Sequence, residues 1–399
     1  FFLVSGAASM MSLERRSSKE YVMERVLRLA IPYVIGSVLL VPLASWLMPW
    51  NGFSGSLWEY YPVYFADVFK GLSGYGASTI VAAVGQWLWV LGFLFAFSVI
   101  GLPILQWLRS PSADRFVAWT TRIARRRGGL LLWVVPVTLV TVVGQLVADG
   151  ADGADAADVG LAEYFGWGAF LRYFAMFLLG AILIRNSEVL EYVRRDGVLA
   201  GAVLLVVVAG SYWYLVSSSA VQNDANFTTG VLTAAGVLIS VACWCLALLL
   251  MAVGMRFLNT PSKALAYCLG IIVAFYVLHQ VAINAVEYLY FGRIDLDLLN
   301  AGQYPYPALY LENQLLVGVV LFLAALLLLI VFIELVVRPI LPLRNALGVT
   351  RERIPGRYRG TTTADQEDAE IRDHDKSALD QHESSTGESS QESDVSRER

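Results

Sequence analysis

The sequence predicts an all-α fold, a polytopic bundle of membrane-spanning helices followed by a polar tail. Three observations carry that prediction. Hydrophobic residues make up 57% of the 399-residue chain and charged residues 16%, against about 45–50% and about 25% in soluble globular domains. The mean hydropathy is +0.59. The charges are bunched between apolar blocks long enough to cross a bilayer as helix, which takes about 20 residues. A large soluble core does not produce that pattern, and nucleic acid is not an expected partner.

The chain begins with Phe1-Phe2-Leu3-Val4-Ser5-Gly6, which reads as the tail of a membrane helix too short to span. A charged hairpin follows, from Glu14 to Glu20. Eight complete spans are then expected, over residues 29–48, 81–106, 130–148, 166–185, 197–216, 230–252, 265–289 and 313–338. A cytoplasmic N-terminus implies one further helix upstream of Phe1, and ten in a full-length chain. Residues 1–348 form the membrane domain on this reading. Residues 349–399 form an acidic, Ser-rich tail with too few large apolar residues to build a core, and are expected to be disordered.

Charge fixes the expected orientation. Arg15, Arg16, Lys19, Arg25 and Arg28 lie in one connecting segment. Arg109, Arg115, Arg122, Arg125, Arg126 and Arg127 lie in another, Arg194 and Arg195 in a third, Arg256 and Lys263 in a fourth. The segments between them are nearly free of cations. The excess of Arg and Lys in cytoplasmic loops places the basic segments and the tail inside, in the plasma membrane of a cell. Aromatics such as Trp46, Trp50, Trp58, Tyr60, Tyr61 and Tyr64 gather where an outer interface is expected. The acidic run 149–158 reads as a solvated linker. Cys243, Cys245 and Cys268 lie inside apolar blocks with no metal-ligand spacing, so no metal and no permanently bound cofactor are expected.

Few residues have the chemistry of a site. His279 is the one histidine inside a predicted span, roughly 21 Å along the helix from Leu265 at 1.5 Å per residue. Ionisable groups at such depth face a cavity or a partner. Two readings stay open: a general base for a hydroxyl, or an interhelical hydrogen bond beside Gln280. Arg25 and Arg28, at i and i+3, are expected on one helix face, where guanidinium forks suit phosphate oxygens; the competing reading is a plain positive flank of a span. Glu334 and Arg338 have the favourable i,i+4 order of a structural pair. Asn284, Glu287 and Glu312 lie at outer helix ends. No phosphate loop, dinucleotide fingerprint, zinc-protease histidine pair or nucleophile elbow is present.

Several short segments, in order, resemble the acyltransferase 3 family of integral membrane acyltransferases. Phe1-Phe2-Leu3-Val4-Ser5-Gly6 followed by Arg25-Val26-Leu27-Arg28 is similar to its Phe-Phe-x-x-Ser-Gly and Arg-x-x-Arg pair. Trp87-Leu88-Trp89-Val90-Leu91 resembles its His-Leu-Trp-Phe-Leu segment, with Trp87 in place of the histidine. Phe177-Leu178-Leu179-Gly180 and Tyr276-Val277-Leu278-His279-Gln280 resemble two more. The stretch from Ile333 to Arg338, with Leu343-Arg344 and Leu347-Gly348, resembles the closing segment of a glucan succinyltransferase-like branch.

The resemblance implies transfer of an acyl group, acetyl or succinyl in type, from a cytoplasmic acyl-CoA donor to a hydroxyl of an exported or surface glycan or lipid-linked sugar. It implies donor phosphates on Arg25 and Arg28, close helix packing at Ser5 and Gly6 beside the donor channel, and His279 near the acceptor. It also implies a principal catalytic histidine on the expected upstream helix. The alternative from another class is a non-catalytic relative that exports or scaffolds a glycan. Oligomeric state is not readable from the chain.

Overall fold

The computed structural model describes residues 1–49, 51–71, 77–151, 167–217, 229–257, 262–292, 313–347 and 349. Glu312, most of the acidic run and the tail from residue 350 lie outside the described residues. Every regular element among the described residues is helical. Helix packing concerns one compact unit, Phe1–Pro261 with Cys268–Arg351; the other, Ser262–Tyr267 with Glu352–Arg399, contributes only a helical turn to the described residues.

Among the described residues seven helices are long and apolar enough to cross a membrane. In our numbering these are α2 (Ser18–Leu47), α4 (Ile80–Ile100), α8 (Trp167–Arg185, with its span Gly168–Arg185), α9 (Glu188–Ser217, span Glu188–Trp213), α10 (Thr229–Phe257, span Ala234–Phe257), α11 (Lys263–Phe291) and α12 (Gln314–Val337). Over the expected span at 130–148, a 3₁₀ segment, Gly129–Val134, leads into α7 (Val135–Ala151). The N-terminal α1 (Phe2–Glu14) is, as expected, a short apolar helix.

Three helices depart from the predicted layout. Two of them, α3 (Leu57–Gly71) and α6 (Asp114–Arg125), lie between predicted spans, and α5 (Leu102–Arg109) takes the end of the expected 81–106 span after a break at Gly101. A last short helix, α13 (Leu341–Ala346), follows α12. Ser56 starts α3: its hydroxyl accepts from the Glu59 N–H at 3.4 Å, while the Glu59 carboxylate accepts from the Ser56 N–H and hydroxyl, both at 2.8 Å. Each group satisfies a donor that the helix end leaves orphaned.

Prolines set the local geometry of α2 and α12. Among the described residues three π-helical turns occur, Val26–Ala30, Gly36–Leu40 and Ile333–Val337. Each ends two residues before a proline: Pro32, Pro42 and Pro339. Proline has no N–H to give, and its ring clashes with the carbonyl four residues back. A widened turn relieves that clash, and the residue before each proline donates five residues back: Ile31 to Val26, Val41 to Gly36, and Arg338 to Ile333.

Among the described residues, two apolar cores stand out. One surrounds the fully buried Trp244, with Leu130, Trp133, Leu183, Val193 and Leu248; its indole N–H donates to the Leu130 carbonyl at 2.8 Å. The other is aromatic, with Phe2, Phe93, Phe97, Phe170 and Phe177 in edge and tilted contacts. Helix α1 reaches both cores through Leu3 and Phe2.

Candidate active site

The hairpin between α1 and α2 forms one end of the candidate site. Ser17 caps α2 through a reciprocal pair: its hydroxyl accepts from the Glu20 N–H at 3.3 Å, and the Glu20 carboxylate accepts from the Ser17 N–H at 2.9 Å. That cap fixes Lys19 on the first turn. One turn on, the Glu24 carboxylate is shared by Arg16 and Arg28, the latter at 3.2 Å, and accepts from the Ser12 hydroxyl at 3.5 Å. Arg16, Lys19, Glu20, Met23, Glu24, Leu27 and Arg28 line an open groove of about 630 Å³. Three cations face two carboxylates there, and both carboxylates are already engaged.

Arg25 and Arg28 do not share a face, contrary to their i,i+3 spacing. The cause is the π turn that contains Arg28: the wider turn changes the angular step between the two residues. Arg28 is exposed over the groove, at 65% of its side chain. Arg25 turns inward, its guanidinium 4.9 Å over the ring of the buried Tyr21, and donates to the Ser9 hydroxyl of α1 at 3.2 Å. The Arg25 Nε–H and the Tyr21 hydroxyl are buried without a hydrogen-bond partner. Buried donors of that kind are uncommon and each calls for an explanation, which a bound polar ligand would supply.

Ser5 and Gly6 lie on α1, away from the groove residues. Gly6 is where α1 crosses α8. A Cβ built there would overlap the Phe177 carbonyl oxygen and lie 2.7 Å from its carbon. Gly180 on α8 is its reciprocal: a Cβ there would overlap the Leu3 carbonyl oxygen and lie 2.7 Å from its carbon. The two glycines let two backbones touch, and small residues serve that purpose in membrane helices. Ser5 is half-buried beside this crossing.

His279 lies about 24 Å along α11 from Lys263, counting 1.5 Å per residue. Its Nδ1 is 2.7 Å from the Tyr276 carbonyl oxygen. A carbonyl only accepts, so Nδ1 is the donor in this contact, and the neutral tautomer with that donor has its lone pair on Nε2. No hydrogen bond to Nε2 occurs among the described residues. The ring stacks at 5° to Phe275 and is tilted against Tyr276. Gln280 does not bond to His279. It donates to Asn284 at 2.8 Å, and the buried Asn284 donates to the Ala44 carbonyl of α2, also at 2.8 Å.

The helix facing His279 is broken. Within α4, residues Gln86–Leu88 form a 3₁₀ turn, and Gln86 has φ +43. Positive φ is uncommon for a residue with a Cβ and costs on the order of 1–3 kcal/mol, so surrounding contacts must hold it. They do: the Gln86 amide donates to the Tyr64 hydroxyl at 3.2 Å and the Ser45 hydroxyl at 3.4 Å. Trp87 donates to the Val277 carbonyl at 3.3 Å, and the Tyr276 hydroxyl donates back to the Trp87 carbonyl. Trp87 thus locks α4 to α11. Gln86 and Ser45 were not among the residues singled out from sequence, and Tyr64 was read only as an interface aromatic; a Gly-Gln pair inside an apolar run was the signal for the break.

Helix α1 connects the two ends. The Phe1 ring is 6.3 Å from the Tyr276 ring, and Ser12 borders the groove. Along the helix the separation from Phe2 to Glu14 is roughly 18 Å. Glu334 and Arg338 pair as expected at 2.7 Å, across the π turn of α12. Among the described residues no three His, Cys, Asp or Glu side chains group as a metal site. Neither the curated proteins nor the solved structures yield a match to this chain. The sequence profile of a family described as an acyltransferase domain matches residues 1–335, which include the groove, the α1–α8 crossing and the α4–α11 lock, and the chain belongs to this acyltransferase 3 family.

Proposed function

We propose that this chain moves an acyl group, acetyl or succinyl in type, from a cytoplasmic acyl-CoA donor to a hydroxyl of an exported or surface glycan. The observation that carries the reading is the placement of His279: Nδ1 lies 2.7 Å from a carbonyl oxygen and Nε2 has no hydrogen bond among the described residues, roughly one short helix away from an open basic groove. The groove takes the donor phosphates, with Arg28 as the exposed guanidinium and Arg25 behind it. The basic hairpin and the tail face the cytoplasm.

His279 Nε2 accepts the proton of the acceptor hydroxyl. The oxygen attacks the thioester carbonyl, the C–O bond forms, the C–S bond breaks, and the departing thiolate takes up the proton from the imidazolium. Donor and acceptor enter from opposite ends, so only the acyl group crosses. Removing a general base costs about 10²–10⁴-fold. We expect His279→Ala, in the protein as its gene encodes it, to lower surface-glycan acylation by about 10²-fold or more while acyl-CoA binding persists. Full acylation by that variant would reduce His279 to a packing residue. Unchanged acyl-CoA binding in Arg28→Ala would remove the groove from the donor site.

A further inference from the structure

Helix α6 carries a second charged surface, which the reaction does not use. Both of its ends are fastened to the ends of spanning helices. Arg185, the last residue of the span Gly168–Arg185, donates from Nε to the Leu108 carbonyl at 2.9 Å and sits 3.5 Å from the Asp114 carboxylate at the start of α6. Arg195, two turns into the next span, donates to the carbonyls of Ala124, Arg125 and Arg126 at 2.6–2.9 Å, closing the end of α6. Asn186, between those spans, donates to the Thr121 hydroxyl at 3.2 Å. Tied at both ends to residues at or near the ends of two spanning helices, α6 lies along one boundary of the bundle.

Its inner face, with Thr120, Thr121 and Ala124, is buried. Its outer face carries Arg115, Trp119 and Arg122, followed by Arg126 and Arg127, all exposed. Residues 115, 119 and 122 fall on one stripe at helical spacing. Trp119 is 54% and Trp107 41% exposed, with Phe116 between their rings at 6.0 and 5.5 Å. Among the described residues these four arginine side chains make no ion pair and no hydrogen bond, whereas Arg125 pairs with Glu188 at 3.7 Å. Unpaired guanidinium groups on an aromatic-bearing amphipathic helix suit the headgroup layer, and their charge suits anionic lipid.

We propose that α6 is a docking surface for anionic phospholipid headgroups of the leaflet it lies against. Guanidinium forks on Arg115, Arg122, Arg126 and Arg127 take the phosphate oxygens, and Trp107 and Trp119 seat in the acyl-chain boundary. The surface is separate from the donor groove, so it stands whether or not the acyl-transfer reading does.

The test is the melting midpoint of the detergent-solubilised full chain with added phosphatidylglycerol, phosphatidylcholine or inorganic phosphate. Phosphatidylglycerol is expected to raise the midpoint by several degrees in low salt, phosphatidylcholine and phosphate are not, and R115Q/R122Q/R126Q/R127Q is expected to lose most of the shift. The milder R115Q/R122Q is expected to lose part of it, and native mass spectrometry to retain fewer phosphatidylglycerol molecules on either variant. An equal shift in wild type and variants overturns the proposal, as does a shift reproduced by inorganic phosphate or phosphatidylcholine.

Discussion

The α1–α8 crossing yields a prediction with a defined magnitude. Gly6→Ala and Gly180→Ala each put a methyl group 2.7 Å from a carbonyl carbon of the opposite helix, where carbon atoms rest about 3.5–4.0 Å apart. The obstacle is backbone on both sides, so no rotamer can relieve it. The helices must separate by about 1 Å at the crossing. Overpacking costs about 1–3 kcal/mol, and the rigidity of both partners places each substitution near the upper figure. In the detergent-solubilised chain each single variant should lose on the order of 2–4 °C in melting midpoint. The double variant separates the pair. One displacement of the two helices accommodates both methyl groups, so the losses share a cause and do not add, as is common for residues in contact. The double variant should melt close to either single one. A neutral Gly6→Ala, or a double variant whose loss equals the sum, would refute the reasoning.

The remaining predictions concern residues nearer the groove and α3. Arg25→Ala removes a charged hydrogen bond to Ser9, worth about 1.5–3 kcal/mol, whereas Arg28→Ala removes only an exposed pair with Glu24, worth at most about 1 kcal/mol. Melting should therefore single out Arg25, and the salt dependence of acyl-CoA binding should single out Arg28. The Ser56 N–H on the Glu59 carboxylate holds this group below the usual carboxylate range. A depressed folded value means that its contribution is present above the unfolded value of about 4.3 and fades as the pH falls through the folded one. Amide protection in the first turn of α3, corrected for intrinsic exchange, should drop over that interval and lose its pH dependence in Glu59→Gln.

How far the sequence could be read depended on which force shaped each element. Spans are legible because a helix in lipid must be apolar along its whole length, and all seven candidate spans coincide with predicted ones. The start of α2 at Ser18 and of α9 at Glu188 were missed, because helices continue past the hydrocarbon into charged sequence. Helix α6 was missed for a related reason: its apolar residues recur with helical period and never form a run. At the site, Arg28 could be placed from the sequence and Arg25 could not, since the phase between them depends on a π turn. The strained Gln86 is held by two other elements, and no local pattern encodes that.

Pro32 tests whether the π turn is caused by the proline alone or is fixed by what surrounds it. Pro32→Ala restores the missing N–H and removes the ring clash, so relaxation of Val26–Ala30 to a regular α turn becomes possible. The gain is about one ordinary hydrogen bond, net about 1 kcal/mol. Relaxation rotates everything before the turn by about 100° for the one residue taken up, at 3.6 residues per turn. Tyr21, fully buried, would leave its core, at about 1.5–3 kcal/mol for a large side chain. Arg25 would leave Ser9, and Ser18 would lose the amide of Gln106, now at 2.8 Å. The losses exceed the gain, so the turn stays. Pro32→Ala is then expected to keep Arg28 over the groove and to leave acyl-CoA affinity within a few-fold of wild type. Loss of donor binding together with exposure of Tyr21 to iodination would show that the proline itself sets the register, and that the separation of the two arginines rests on one ring.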